Sequence, residues 1–401
     1  MGVLYGDHME ETPAFTASVV WLKPKWDPRM FLSQDYVTQA CALAIDPALS
    51  TIITKGKSRP ESLDDLVARI AESHQIEHVE RVVASVPVND WREENADRVV
   101  MLQRRLGNAA TVKQGTFGTT EVHWSLPEPR PTVSVIVATR DRVELLRTCV
   151  EGVLQQTDYS ELELIIADNG SVEPETLAYM DEVAKDPRVQ IVRWPHPFNY
   201  SAINNFAATH ARGEFLCLLN NDIEIIDPDW LTEMMREACQ QGIGAVGARL
   251  LYPDHTIQHA GVAIGIGNAA GHAHRGQSKA NPGYFAQTHI ARGATAVTAA
   301  CLLVRKEHFD AVAGLDEKQL AVAYNDVDFC LKLRERGLSN IYTPLATLIH
   351  HESKSRGLDF APEHLERYLK ELSVFQERWN ATQIIDPWHH RHLERTSEQY
   401  T

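Results

Sequence analysis

The chain predicts an α/β fold in which a mostly parallel central sheet carries helices on both faces. Three observations predict it. Short apolar runs rich in β-branched residues alternate with stretches of helical period between Val133 and Gln241. The runs are apolar throughout, as strands covered on both faces are. Polar residues cluster just after them, where sheets of this kind bind ligands.

The elements follow in order. VSVIVA, Val133 to Ala138, reads as the first strand. A helix follows it, with Asp141 as N-cap, Glu144 three residues on, and Val143, Leu146, Val150, Val153 and Leu154 at helical spacing. LELIIAD, Leu162 to Asp168, is the second strand, and a helix is expected over Thr176 to Ala184. VQIVRW from Val189, a helix from Ser201 to His210, and EFLCLLN, ending at Asn220, continue the alternation. Trp230 to Gln241 is a helix stopped by Gly242. Beyond Ile243 the pattern loosens, with a strand at ACLLVR, Ala300 to Arg305, a helix from Val327 to Arg336, and a terminal helix from Glu363 to Trp379. The last twenty or so residues are polar and are expected to fray. Thr139, Arg140 and Asp141, then Asp168 and Asn169, then Asn220 to Asp222 stand after three of the strands and are expected to converge on one site.

Pro127, Pro129 and Pro131 disfavour helix and central strand, so residues 126–132 read as a linker. That divides the chain into 1–125, the regular part 133–357, and a helical extension 358–401.

The 401 residues are 44% apolar, enough for a sizeable core, and carry a formal net charge of -15. Such a charge excludes a general nucleic-acid binder, which needs a basic surface. It also weighs against a protein held on anionic lipid by charge alone. The six cysteines show no paired spacing, so reduced thiols and a cytoplasmic location are expected. No apolar stretch is long enough to span a bilayer, and the first residues lack the pattern of a signal peptide.

Three groups carry candidate chemistry. Asn220, Asn221 and Asp222 close an apolar strand, and oxygen donors there hold a divalent cation against a diphosphate or simply form a turn. Asn325, Asp326 and Asp328 precede a helix and read as caps or as a source of a general base. His350 and His351 follow LATLI as a metal ligand or as structural histidines. His255 and His259, His272 and His274, and the HHRH run from His389 lack zinc-site spacing with cysteine partners. Gly265, Gly267 and Gly271 have the wrong spacing for a dinucleotide loop.

The order of these segments adds a resemblance. SVIVATRDR, LELIIADNGS, FNYSAINNFAA with ARGEFLCLLNND, GAVGARLLYPDHTIQHAGV, AYNDVDFCLKLRERG and LIHHESKSRG together resemble the family 2 glycosyltransferases of the GT-A fold, in particular bacterial enzymes of polysaccharide and O-antigen assembly. The resemblance implies a nucleotide-diphosphate sugar donor, UDP- or dTDP-linked, and Mn2+ or Mg2+. It implies that Thr139, Arg140 and Asp168 lie around the base and ribose, with Asp168 accepting a hydrogen bond from a pyrimidine ring. Asn169, Asn204, Asn205 and Asn221 fall on the donor side. Asn220 and Asp222 fall on the DxD position that holds the metal, and His350 on the histidine completing it. Asp326 falls on the catalytic base, with Asn325 and Asp328 orienting it or the acceptor. Asn220 departs from the aspartate of the pattern and brings less charge to the metal. The acceptor implied is a glycan or lipid-linked glycan, reached by single displacement with inversion, with peripheral contact to the inner membrane or to other polysaccharide-assembly enzymes.

Residues 1–125 resemble the back half of a second such domain, truncated and inactive. LYGDHME matches the metal-motif segment, so that Asp7, His8 and Met9 stand at DxD, and Leu63 stands where a base is expected, beside Asp64 and Asp65. Two competing classes are a non-catalytic scaffold keeping the fold and a sugar-phosphate nucleotidyltransferase. The latter needs a glycine-rich loop where this chain has ATRDR.

Overall fold

The computed structural model describes residues 2–11, 18–44, 60–87, 95–351 and 362–400. ESKSRG, the end of the last motif, lies outside them, as does the boundary expected at residue 357.

The N-terminal unit has its own sheet of β1 (Val3–Glu11), β2 (Ser18–Trp21), β3 (Cys41–Leu43) and β4 (Ile76–Pro87). Helices α1 (Pro28–Ser33), α2 (Leu63–Ala71) and α3 (Ala96–Leu106) and the hairpin β5 (Ala110–Gln114) and β6 (Thr120–Trp124) complete it. The larger unit runs β7 (Val133–Thr139), α4 (Val143–Gln155), β8 (Leu162–Asp168), α5 (Pro174–Val183), β9 (Val189–Arg193), α6 (Tyr200–Ala208) and β10 (Phe215–Asn220). It continues with β11 (Ile223–Ile225), α7 (Trp230–Ala238), β12 (Ile243–Leu251), β13 (Ile257–His259), β14 (Val262–Ile264), β15 (Ala270–His272) and β16 (Arg292–Ala294). β17 (Cys301–Arg305), α8 (Lys306–Ala311), α9 (Asn325–Glu335), β18 (Ser339–His350) and α10 (Pro362–Trp379) end it.

The large sheet has the order β11–β18–β12–β17–β10–β7–β8–β9, with β13 beside β12 and β16 beside β18. It is parallel from β10 to β9 and mixed beyond, because β17 runs antiparallel to both β10 and β12. Side-chain alternation divides two cores. Val133, Val135 and Val137 face Leu146, Cys149, Val150 and Val153 of α4. Ile136 and Ile165 face Ile203 and Ala207 of α6 and Val327 and Phe329 of α9. All of these but Val327 are fully shut from water, and each valine, leucine, isoleucine or phenylalanine so buried contributes about 1.5–3 kcal/mol. All six cysteines are free thiols. Among the described residues no helix is long and apolar enough to cross a membrane.

Two local expectations are corrected. Asp141 is not the cap of α4; Arg142 holds that position in a left-handed conformation without a capping bond. The Asp141 Oδ1 instead accepts the Val172 and Glu173 N–H groups at 2.7 and 2.9 Å, and the Ser171 hydroxyl accepts the Asp141 N–H at 2.8 Å. The loops after β7 and β8 are therefore tied to each other, which tertiary proximity allows and local spacing does not reveal. The C-terminal residues do not fray up to residue 400. Ala381, Leu393 and Tyr400 are buried, and Asp386 Oδ2 accepts the Ile264 N–H at 2.9 Å. Sparse apolar anchors and one acidic cap seat a segment whose average composition is polar.

The N-terminal unit has the strand neighbours of half a large sheet. β1 runs parallel to β4 and antiparallel to β3 and β2, as β12 runs parallel to β18 and antiparallel to β17 and β13. α2 precedes β4 as α9 precedes β18. On this topology LYGDHME corresponds to β12 and not to the metal-motif strand β10, whose neighbours are β7 and β17. Asp64 and Asp65 of α2 are paired with Arg98 and with Arg69.

Candidate active site

Strand ends deliver the site. β7, β8 and β10 run parallel, so Thr139, Asp168 and Asn220 emerge at one end of the sheet. β18 reaches the same end with His350, because β11 pairs Ile223 with His350 immediately after the Asn220–Asp222 turn. α9 enters from the opposite wall. Tyr324, at φ 60°, turns the chain so that Asn325 and Asp326 open the helix facing the cleft.

The cleft holds about 780 Å³ and is lined by Thr139, Arg140 and Asn169 on one side. Asn220, Asn221, Asp222 and His350 form its floor, and Asn325 and Asp326 line it as well. Tyr324, His272, Tyr368 and Glu398 also line it.

At the floor, His350 Nδ1 lies 2.6 Å from Gln258 Oε1. An amide oxygen only accepts, so the Nδ1 carries the hydrogen and Nε2 is left with its lone pair, an assignment inferred from this network. That Nε2 stands 3.0 Å from Asp222 Oδ1 and 3.3 Å from Asn220 Nδ2. Asp222 Oδ1 is buried and has no aligned hydrogen-bond partner. Two electron-rich atoms therefore face each other across a short gap, an arrangement that a divalent cation relieves. Asn220 Oδ1 accepts from the Tyr200 hydroxyl at 3.1 Å.

On the other side, Asp168 is fully buried, and its Oδ1 accepts the Ser171 N–H at 2.8 Å. Its Oδ2, and Asn169 Oδ1 beside it, lack a hydrogen-bond partner. Asn169 Nδ2 donates to the Trp194 and His196 carbonyls, which turns the amide oxygen free. Asn221 Nδ2 donates to Thr139 Oγ1 at 3.1 Å and ties two strand ends together. Arg140 is exposed at the lip.

Asp326 Oδ2 accepts the Ala299 N–H at 3.0 Å, and Oδ1 accepts the Val327 N–H at 2.8 Å. Burial pushes its carboxyl above the ordinary aspartate range, against the pull of these donors. A raised carboxylate in a cleft, with its orientation fixed by backbone, has the character of a proton acceptor.

Four expected residues are not among those that line the cleft: the fully buried Asp168, and Asn204, Asn205 and Asp328. Asn204 is buried and donates to the Tyr200 carbonyl of its own helix at 2.8 Å. Asn205 brackets Leu315, donating to its carbonyl and accepting its N–H, both at 2.9 Å. That clasp needs Gly314, at φ 65°, where a Cβ would strike Asn205 Oδ1. Asp328 is fully buried against Arg378, Lys332 and the Trp379 indole N–H. Gln258, Tyr200 and Ala299 are contributors that the sequence reading left without a role. Gln258 stood inside a quoted motif, but only the fold shows that it reaches His350.

Residues 134–310 match the family model "Glycosyl transferase family 2". The chain is 37% identical, over 98% of its length and 45% of the other's, to "Uncharacterized protein y4gI" of Sinorhizobium fredii (strain NBRC 101917 / NGR234). It is 35% identical, over 90% of its length and 29% of the other's, to "O-antigen biosynthesis protein RfbC" of Myxococcus xanthus. The chain thus spans less than half the length of either relative. Among solved structures, GalNAc-T7 with UDP, GalNAc and Mn2+ superposes with a TM-score of 0.50 at 13% identity, over 62% of this chain and 50% of that one, which is a likeness of fold alone. With strand ends, cleft and sequence in agreement, this chain carries a glycosyl transferase family 2 domain on the GT-A fold.

Proposed function

We propose that the protein is an inverting, divalent-metal-dependent glycosyltransferase that moves a sugar from a nucleotide-diphosphate donor to a glycan or lipid-linked acceptor hydroxyl in polysaccharide assembly. The observation that carries it is Asp326, a backbone-held carboxylate of raised proton affinity lining the same cleft as Asp222 and His350. Homology to an O-antigen biosynthesis protein supports the polysaccharide context.

Asp168 Oδ2 and Asn169 Oδ1 are acceptors waiting for N–H donors, which suits uracil or thymine and hence a UDP- or dTDP-sugar. Arg140 lines the cleft beside Thr139, and this reading sets both around the base and ribose. Asp222, His350 and the Asn220 side chain are the groups that would hold Mn2+ or Mg2+, which supplies charge neutralisation for the departing diphosphate. Asp326 takes the acceptor proton as the hydroxyl oxygen attacks the anomeric carbon, and one such displacement inverts the configuration. Tyr324, Tyr368 and Glu398 line the cleft, and this reading sets the acceptor against them. Asn220, already bonded to Tyr200 and His350, favours the second reading, a binding protein that keeps the fold without turnover. We also propose residues 1–125 as an inactive half-domain, and the cytoplasmic face of the inner membrane as the place of work, with other assembly enzymes as neighbours.

The test incubates the protein with manganese and a panel of nucleotide sugars, with and without glycan acceptors, and reads released nucleoside diphosphate. Turnover of one donor that disappears in Asp326→Asn supports the transferase. Nucleotide binding without turnover on any donor and acceptor pair would sink it in favour of the binding protein.

A further inference from the structure

The histidine run at the C-terminus lacks any zinc-like spacing in sequence, yet the fold gives one of its members partners. His390 meets Asp7 of β1 and His78 of β4 outside the transfer cleft. Tyr5 of β1 pairs with His78 in register, and the β1–β4 register shifts on either side of Asp7, which redirects that side chain. Asp7 Oδ1 lies 2.8 Å from His78 Nε2, and Asp7 Oδ2 lies 3.3 Å from His390 Nε2. One ligand atom from each residue lies within 4.8 Å of the others. All three side chains are at least 98% buried.

The group is held in place from outside. The Lys23 N–H donates to Asp7 Oδ1 at 2.8 Å, and the Tyr5 ring stacks on His78 at 4.9 Å. His390 Nε2 is buried and has no aligned hydrogen-bond partner. A carboxylate and two imidazoles form an N2O donor set, the preference of zinc-class ions and not of magnesium. Tetrahedral zinc with bonds of about 2.0–2.1 Å sets its ligand atoms roughly 3.3 Å apart. The Asp7–His390 separation already has that value. His78 Nε2 lies 2.8 Å from the other carboxylate oxygen, so Asp7 would ligate through both oxygens or turn one of them toward both imidazoles. One contact must give way: His390 Nδ1 accepts the His392 N–H at 3.2 Å, and it would carry a hydrogen once Nε2 binds metal.

We propose that Asp7, His78 and His390 bind a divalent zinc-class ion that fastens the C-terminal segment to the N-terminal sheet. The consequence reaches the cleft through the chain. Glu398 of the same segment accepts the His272 N–H at 2.7 Å, and both residues line the cleft. The ion therefore steadies a wall of the cleft without touching the reacting atoms. Its binding does not depend on the transferase reading.

The experiment titrates Co2+ into the untagged full chain carrying Asp222→Asn and His350→Gln, which silences the cleft floor, and reads visible d–d absorption. Expected is about one bound equivalent, with affinity falling tenfold or more when His390→Gln or His78→Gln is added. His390→Cys should keep the ion and add a thiolate-to-cobalt charge-transfer band, a readout independent of whether the glutamine variants fold. No cobalt binding in the cleft-silenced chain, affinity unmoved by His390→Gln, or no charge-transfer band from His390→Cys would each overturn the site.

Discussion

His350 Nε2 stands 3.0 Å from Asp222 Oδ1 while its Nδ1 is engaged by the Gln258 amide oxygen at 2.6 Å. On the proposed metal-site reading, Gln258 sets the tautomer of the ligand His350 from behind. Gln258→Leu is expected to weaken Mn2+ binding about 10–100-fold in calorimetry, whereas Gln258→Glu keeps the acceptor and most of the affinity. Equal affinity in Gln258→Leu and wild type would remove the residue from this role.

Asn220 supplies an amide where a second carboxylate would add charge. Asn220→Asp is expected to tighten Mn2+ about tenfold, or about 1.4 kcal/mol. The manganese concentration giving half-maximal nucleotide binding reports it directly. An unchanged value would mean that residue 220 holds His350 and Tyr200 instead of metal.

Asp326 is the proposed base. Asp326→Asn should lower kcat about 10²–10⁴-fold and leave metal-dependent nucleotide binding intact. Burial raises the Asp326 carboxyl, so the protonated, inactive form persists to higher pH than for an ordinary aspartate. The acid limb of the kcat profile should therefore lie above the usual carboxylate range. A profile flat down to ordinary carboxylate pH would contradict that.

His123 of β6 joins the N-terminal unit to α7 through Glu233 at 3.0 Å. Hydrogen bonds to Glu121 and Glu233 raise it from 6.5 to about 9. A raised folded-state value means that the contribution is complete below pH 6.5 and is lost as pH climbs through about 9. Thermal melts should show stability falling across that window in wild type and a shallower fall in His123→Gln.

Asp328 separates a structural role from an acceptor role. Its carboxylate joins α9 to Arg378 and Trp379 of α10, with Arg378 Nη1 at 2.7 Å. Asp328→Ala should cost about 2–4 kcal/mol in denaturant unfolding, since it strands a guanidinium and an indole N–H. At temperatures where the variant is folded, acceptor KM should stay near wild type; a large rise in KM with full stability would restore the acceptor reading.

What the sequence determined by itself was the sheet and most of what lies at its end. VSVIVA, LELIIAD and FLCLLN are short, apolar on both alternating faces and rich in strand formers, as strands buried on two sides are, so these strands, their parallel run and the places of Thr139, Asp168, Asn220 and Asp222 at their ends were legible. Local spacing served less well wherever a polar side chain had a choice of partner. Asp141 had the spacing of a cap but ties the loop after β7 to the loop after β8, and Asn204, Asn205 and Asp328, expected on the donor or acceptor side, are spent on Tyr200, Leu315 and Arg378. Tertiary structure alone decided these, and it alone put Gln258 behind His350 and His390 beside Asp7. A hydrogen bond or a metal ligand depends on two or three ångströms between atoms that are 92 or 383 residues apart in the chain, and no periodicity in the sequence records that distance.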